Sequence, residues 1–166
     1  MANTHSSKFH SYSTHLTWTG ASHGPTSSYA GYSREYLIEI KGKAPLPGTS
    51  DPYFRGNPKL YSPEDLFVAA LSGCHMLCYL ALAARAGIHV TSYEDPAVGT
   101  MVLEGGGGRF TEVILRPQVT ISVGDPGVAQ QLHDAAHAEC FIAASTNFPV
   151  RHEARIIVSR ESAVTV

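Results

Sequence analysis

Between Leu66 and Ala84 the chain reads LFVAALSGCHMLCYLALAA, nineteen residues without an Asp, Glu, Lys or Arg. No other stretch of the 166 residues constrains the fold as tightly. A run this long and uncharged has two solutions. It crosses a bilayer, or it forms a helix that is apolar on every side and sits inside a fold. Ser72, Gly73, His75 and two Cys interrupt its apolar surface, and Glu64 and Asp65 abut its start. The flanking sequence reads as strands and turns. An interior helix is therefore expected, with no membrane association. Its start is well marked. Ser62 suits the N-cap, Pro63 the first helical position, and Glu64 and Asp65 the positive end of the helix dipole. Asp65, three residues after Ser62, approximates a capping box. Gly87 provides the stop. Within this central-helix segment of about 62–87, some 24 helical residues ending at about Ala86 make a rod of roughly 36 Å.

Around this spine the patterning predicts strands. Residues 9–19, FHSYSTHLTWT, are rich in Thr and aromatics, and Glu35–Lys41 alternates. Gly20–Tyr32 reads as a loop. Gly42–Tyr61, with four Pro and three Gly, reads as a long one, and long loops are usually functional or tied to a partner. Residues 97–104 and 109–123 form two strands joined through Gly105–Gly108. Asp125-Pro126 opens a second helix with Val128, Leu132, Ala135, Ala136 and Cys140 on one stripe, and 153–159 is a last strand. The order implies an α+β fold in one domain over 1–166. It has a strand and loop lobe at about 1–61, the central helix, and a strand–helix–strand lobe at about 95–166.

Composition excludes several functions. Charged residues make up 16 %, against roughly 25 % in a typical domain, while 43 % of the chain is hydrophobic. That balance argues against disorder and points to surface hidden in an oligomer. The net charge is −2 with no basic stripe, so nucleic acid is not an expected partner. Three Cys do not make a secreted disulfide framework. The segment Met1–Thr17 is polar and lacks the apolar core of a signal peptide, so a cytoplasmic location is expected. The glycines at 105–108 lack the Lys-Ser/Thr of a phosphate loop and suit a hairpin turn.

The cysteines carry the chemistry. Cys74 and Cys78 lie one helical turn apart, and Cys140 ends the second helix with His137 three residues before it. Three readings stand. All three thiols are buried small hydrophobes. Alternatively, Cys74, His75 or Cys78, His137 and Cys140 hold zinc, although residues 74 and 75 point about 100° apart on a helix. The third reading is thiol redox chemistry, which needs one thiolate and a second Cys to resolve its oxidised form. Cys74 is mid-helix, so the dipole does not lower its pKa, and an apolar setting raises it. An Arg must come from elsewhere. Arg55, in the loop before the helix, is the natural supplier. Arg34 is second, and Arg85 reads as dipole compensation.

Ser62-Pro63-Glu64-Asp65-Leu66-Phe67, followed by Ala-Ala-Leu-Ser-Gly-Cys74-His75, resembles the signature of the OsmC/Ohr family (osmotically inducible protein C-like, organic hydroperoxide resistance). Ala136-His137-Ala138-Glu139-Cys140, 66 residues beyond Cys74, resembles the second landmark of that family. The likeness spans about residues 9–160. It implies an OsmC-like fold with two antiparallel sheets around long central helices, in an intertwined homodimer with active sites at the interface. It also implies a thiol-dependent peroxidase acting on organic hydroperoxides. Cys74 matches the attacking thiolate, Cys140 the resolving thiol, Glu64 the acidic partner of an active-site Arg, and Arg55 that Arg. Glu64 and Cys74 are ten residues apart, about 15 Å along a straight helix. Either the site borrows residues from a partner chain or Glu64 is only a helix-start charge.

The sequence departs from the family pattern in three places. Phe141 replaces the common Pro after the second Cys. Cys78 is an extra thiol, either core or a competing resolver. Gly20–Tyr32 holds no Arg, which places the chain nearer the OsmC-like branch than the Ohr branch. By this resemblance no cofactor is needed beyond an external dithiol reductant, such as a lipoyl protein, thioredoxin or a small thiol. Leu66, Phe67, Met76, Leu77, Tyr79 and Phe141 would form an apolar wall favouring organic peroxides, or else serve as plain core. A non-catalytic, stress-associated binding module on the same fold is the alternative.

Overall fold

Helix α1, Pro63–Arg85, begins where the capping pattern places it. The Ser62 Oγ accepts from the Asp65 N–H at 3.1 Å, and Asp65 Oδ2 accepts from the Ser62 N–H at 2.9 Å. This reciprocal pair satisfies donors that the first turn leaves free. The helix stops before Gly87, which takes φ +69°, a value favoured by glycine. The structure, a computed structural model, describes residues 8–159. The first seven residues of the polar N-terminal segment and the last seven of the C-terminal lobe lie outside them.

The chain divides into two compact units, one running to Asp65 and one from Leu66. The first holds β1 (His15–Trp18), β2 (Tyr36–Glu39) and β3 (Leu46–Gly48) in one antiparallel sheet of that order. The strand expected over 9–19 shrinks to four residues. A strand extends only as far as its partner, and β2 ends at Glu39 opposite His15. Phe9 and Tyr12 are left exposed. The long loop expected over 42–61 is also corrected. It contains β3 and a 3₁₀ turn, Pro52–Phe54, whose N-cap Asp51 accepts from the Tyr53 N–H. Gly48 is required here, because a Cβ would sit 2.4 Å from the Tyr36 ring.

The second unit adds β4 (His89–Glu94), β5 (Val98–Glu104), β6 (Gly107–Leu115), β7 (Gln118–Val123), α2 (Pro126–Glu139), β8 (Val150–His152) and β9 (Arg155–Val158). They form two sheets, β4-β7-β9 and β5-β6-β8. The α+β class and the OsmC-like fold hold. Among the described residues, however, there are three sheets rather than two, and β6·β8 and β7·β9 pair in parallel. A parallel pair needs a crossover, and α2 lies within it. The single strand expected over 109–123 is two strands in different sheets. They part at Arg116-Pro117, where proline cannot donate to a ladder and the Arg116 N–H donates to Asp95 instead. Strands β4 and β8 lay in segments without clear alternation. The hairpin turn at Gly105-Gly106 is as expected, with φ of +58° and +83°.

Each sheet of this unit has its own core. Tyr79, Ala83, Ile88, Val119, Ile121, Ala129 and Ala136 pack together beside β4-β7-β9. Leu71, Val113, Leu115 and Val150 pack beside β5-β6-β8, with Phe67, Phe110 and Phe148 around them. α1 contributes to both. Its burial departs from the all-round burial expected of it. Only the row Leu71, His75, Tyr79 and Ala83 is buried, and just 22 % of its most apolar stretch is covered. By length and composition α1 is long enough to cross a membrane. On α2 the buried stripe is Ala129, His133, Ala136 and Cys140, while Val128 is exposed. A histidine takes the central place of an expected apolar stripe.

Candidate active site

The end of α2 determines the chemistry at Cys74. Helical hydrogen bonding ceases at Glu139. Cys140 is the C-cap with extended backbone, φ −74° and ψ 105°, and a 3₁₀ turn follows at Ala143–Ser145. The backbone N–H groups of 141–143 therefore stand at the start of a turn, where no preceding carbonyl uses them, a geometry suited to holding an anion. The Ala143 N–H donates to the Cys140 sulfur at 3.5 Å. Those of Ile142 and Phe141 serve Cys74.

The three cysteines meet at this point. All are free thiols, Cys140 buried and the other two half-buried. Burial alone would push the Cys74 thiol up. Hydrogen bonds from the Ile142 backbone, the Cys140 thiol, the Phe141 backbone and the Cys78 thiol outweigh it, so its pKa falls below the ordinary cysteine value. Cys140 moves the other way, to about 11, chiefly through burial and then through its bond to Cys74. Cys78 is also raised, first by burial and then by the charge at Cys74. It donates to the Glu139 carbonyl at 3.5 Å. One thiol with a lowered pKa is thus flanked by two whose pKa values are raised. The Cys74 site does not depend on an arginine for all its stabilisation, because backbone donors supply part of it. The only sequence signal for them was the residue after Cys140. A proline there would have no N–H, and Phe141 has one.

Next to the thiols on α1 is a second row. His75 is wholly buried, and its Nε2 lies 3.0 Å from Nδ1 of the equally buried His133. Tyr79 is sealed inside and stacks on His133 with ring centroids 4.0 Å apart. His137 and His152 complete the group. Among the described residues, no three or more His, Cys, Asp or Glu side chains converge to hold a metal ion, so the zinc reading has no donor set.

Residues 56–155 match the family model described as OsmC-like protein. The chain belongs to the OsmC-like family. It is 33 % identical to an OsmC-like protein of unknown function from Vibrio cholerae O1 biovar eltor, with a TM-score of 0.78, covering 89 % of this chain and 100 % of that one. That similarity agrees with the OsmC-like branch. An organic hydroperoxide resistance protein from Elizabethkingia anophelis shares the fold at 17 % identity and a TM-score of 0.64, over 92 % and 99 % of the two chains. So does the organic hydroperoxide resistance protein OhrB of Bacillus subtilis, at 19 % and 0.57, over 87 % and 98 %. No curated protein matches the sequence significantly.

The remaining candidates of this OsmC-like chain are placed as follows. Arg55 and Glu64 belong to the first compact unit. Arg55 ends the 3₁₀ turn in the left-handed region at φ +69°, is exposed, and takes part in no ion pair among the described residues. Arg34 is already engaged, donating to the carbonyls of Tyr32 and Tyr29 with its guanidinium 3.8 Å from the Tyr32 ring centroid. Oε2 of Glu64 is buried without a hydrogen-bond partner among the described residues, and the carboxylate adds to burial in pushing the Tyr36 phenol up. Of the apolar candidates, Phe67 packs against Phe110 and Phe148 in the core. Leu66 and Met76 are half-buried, and Leu77 and Phe141 are 65 % and 80 % exposed. Gly20-Ala21-Ser22-His23-Gly24 has the Gly-x-Ser-x-Gly spacing of a nucleophile elbow. It forms a 3₁₀ turn with no helix after it, and Ser22 Oγ donates to the Thr19 carbonyl.

Proposed function

We propose that this protein is a cysteine peroxidase that reduces organic hydroperoxides, with Cys74 attacking and Cys140 resolving. One observation carries the reading: the free thiols of Cys74 and Cys78 meet the buried Cys140 at the end of α2, where their surroundings push Cys74 down and Cys140 up. The Cys74 thiolate attacks one peroxide oxygen. An S–O bond forms, the O–O bond breaks, and the departing alkoxide takes a proton to leave as the alcohol. Cys74 is then a sulfenic acid. The Cys140 thiol attacks its sulfur, a disulfide forms, and water leaves. An external dithiol reduces the disulfide by exchange and becomes oxidised in turn.

By the family resemblance alone, Arg55 is assigned to the peroxide oxygens and Glu64 is its acidic partner; Arg34 already donates to the Tyr32 and Tyr29 carbonyls. The exposed apolar side chains of Leu77 and Phe141 suit the organic tail of the substrate. The protein works as a homodimer. A nineteen-residue uncharged run with one buried row leaves apolar surface that a second copy of the chain would cover.

Reduced protein treated with one equivalent of cumene hydroperoxide should lose two thiols per chain quickly, without intermolecular crosslinks, and more slowly with hydrogen peroxide. Slow or absent loss would reject the peroxidase. Light scattering should give the mass of a dimer, and Leu77→Glu should shift it toward the monomer.

A further inference from the structure

Two adjacent rows of α1 meet α2. The row Cys74–Cys78 faces the last residues of α2 and the turn beyond, through Cys140, Glu139 and the Ile142 backbone. The row His75–Tyr79 faces α2 two turns earlier, at His133. Seven residues separate His133 from Cys140, so any slide of α2 along α1 moves both together. The His75 and His133 rings are nearly parallel, at 8°, and both are 0 % exposed. Their N···N bond of 3.0 Å directly links the side chains of the two helices. Both imidazoles stay neutral, because burial first and neighbouring imidazoles second oppose a charge. His75 falls to about 4 and His133 to about 3. Each neutral ring has one donor and one acceptor, so at this contact one donor faces one acceptor in a single bond that ties the two helices at one register.

Register matters because disulfide geometry is narrow. Cβ atoms must come within about 3.5–4.5 Å, a window of roughly 1 Å. One residue of helix rise is about 1.5 Å. A slide of one residue therefore separates the sulfurs, and it also draws the Ile142 and Phe141 donors away from Cys74, lowering the thiolate fraction but not the reactivity of the thiolate that remains.

We propose that the His75–His133 hydrogen bond pins the register of the two cysteine-bearing helices, making these histidines positioning residues for closure of the Cys74–Cys140 disulfide. The proposal rests on the reading of Cys140 as the resolving thiol. It assigns the two histidines no part in the attack on peroxide.

The test uses full-length His133→Leu, His133→Gln and His133→Asn. Asn places an amide where Nδ1 bonds His75. Gln keeps polarity and bulk but reaches the Nε2 position instead. Disulfide closure is read as the effective concentration of Cys140 toward Cys74, in glutathione buffers of stepped ratio, with the pairing identified by peptide mass mapping. Sulfenic acid formation is read separately with cumene hydroperoxide, each variant carrying Cys140→Ser, as a rate per Cys74 thiolate with the thiolate fraction taken from absorbance near 240 nm. Leu and Gln should lower the effective concentration at least tenfold while sulfenic acid forms within threefold of the parent rate per Cys74 thiolate. Asn should restore closure to within threefold of the parent protein. If Leu does not fold, Gln carries the test. Unchanged closure in a folded Leu or Gln variant overturns the proposal, and so does a parallel loss of the per-thiolate rate of sulfenic acid formation. If the parent protein ignores peroxide while the glutathione series behaves as expected, the peroxidase reading fails and the register pin stands.

Discussion

The thiol row and the imidazole row of α1 start one residue apart and have opposite electrostatics. Cys74 is held toward its anion, whereas His75 and His133 are held away from their cations. Burial disfavours charge in both rows. The difference lies in what part of α2 each one meets. The thiols face the end of α2, where backbone N–H groups at 141–143 have no helical partner. The imidazoles face its middle, where the helix consumes its own backbone groups, and only side chains are left to answer them. Tyr79 OH, His75 Nδ1 and His133 Nε2 stay without hydrogen-bond partners among the described residues. Charge is thus stabilised by the broken end of a secondary structure and excluded by its intact interior.

Removing the centre of the first row should have the largest effect. Cys74→Ser is expected to abolish consumption of cumene hydroperoxide, whereas Cys140→Ser should consume one equivalent and stop at a sulfenic acid that a dimedone-type probe traps.

Acid attacks the second row. The unfolded chain binds protons at its histidines below pH about 6.5, but the folded chain resists until about 4 at His75 and about 3 at His133. Stability therefore falls as pH drops from 6.5 toward 4, and the loss levels off below 3. His137 and His152, the latter 3.2 Å from Asp134, face the same pair, and Tyr79 and Tyr93 close it off. At ~1.4 kcal/mol per unit the loss is on the order of several kcal/mol. Urea unfolding at pH 7 and pH 5 measures it. Equal midpoints would show that the imidazoles are not held neutral.

Phe141→Pro sharpens the contrast from the thiol side. It deletes one backbone donor to Cys74, and a hydrogen bond to a charged group is worth ~1.5–3 kcal/mol. The Cys74 pKa should rise, read from thiolate absorbance near 240 nm, with His75 unaffected. A change remote from both rows should be the mildest. Ser62→Ala removes the cap of α1 and should cost about 1 kcal/mol in urea unfolding without moving the Cys74 titration.

Much of this was legible in the sequence where the signal is local. The capping residues of both helices, the Gly87 stop and the Gly105-Gly106 turn require only neighbours along the chain, and each sits where the pattern places it. The convergence of Cys74 and Cys140 followed from two motifs. What stayed hidden depended on distant partners. Strand 9–19 looked long because its composition is strand-like, yet β2 offers only four residues to pair with. The division of 109–123 into two sheets had Pro117 as its single local sign. His133 resembles any polar interruption of an amphipathic stripe, and nothing in its neighbours announces a buried imidazole partner 58 residues upstream.

The sequence by itself determined that a long uncharged helix exists, where it starts and stops, and which thiols it carries, because caps, breakers and composition act within a turn of the chain. Tertiary structure alone decided which of those thiols has its pKa lowered. A thiol's pKa depends on the donors within hydrogen-bonding reach, and those around Cys74 come from Cys140, Phe141 and Ile142, more than sixty residues away, as well as from Cys78 one turn along the helix.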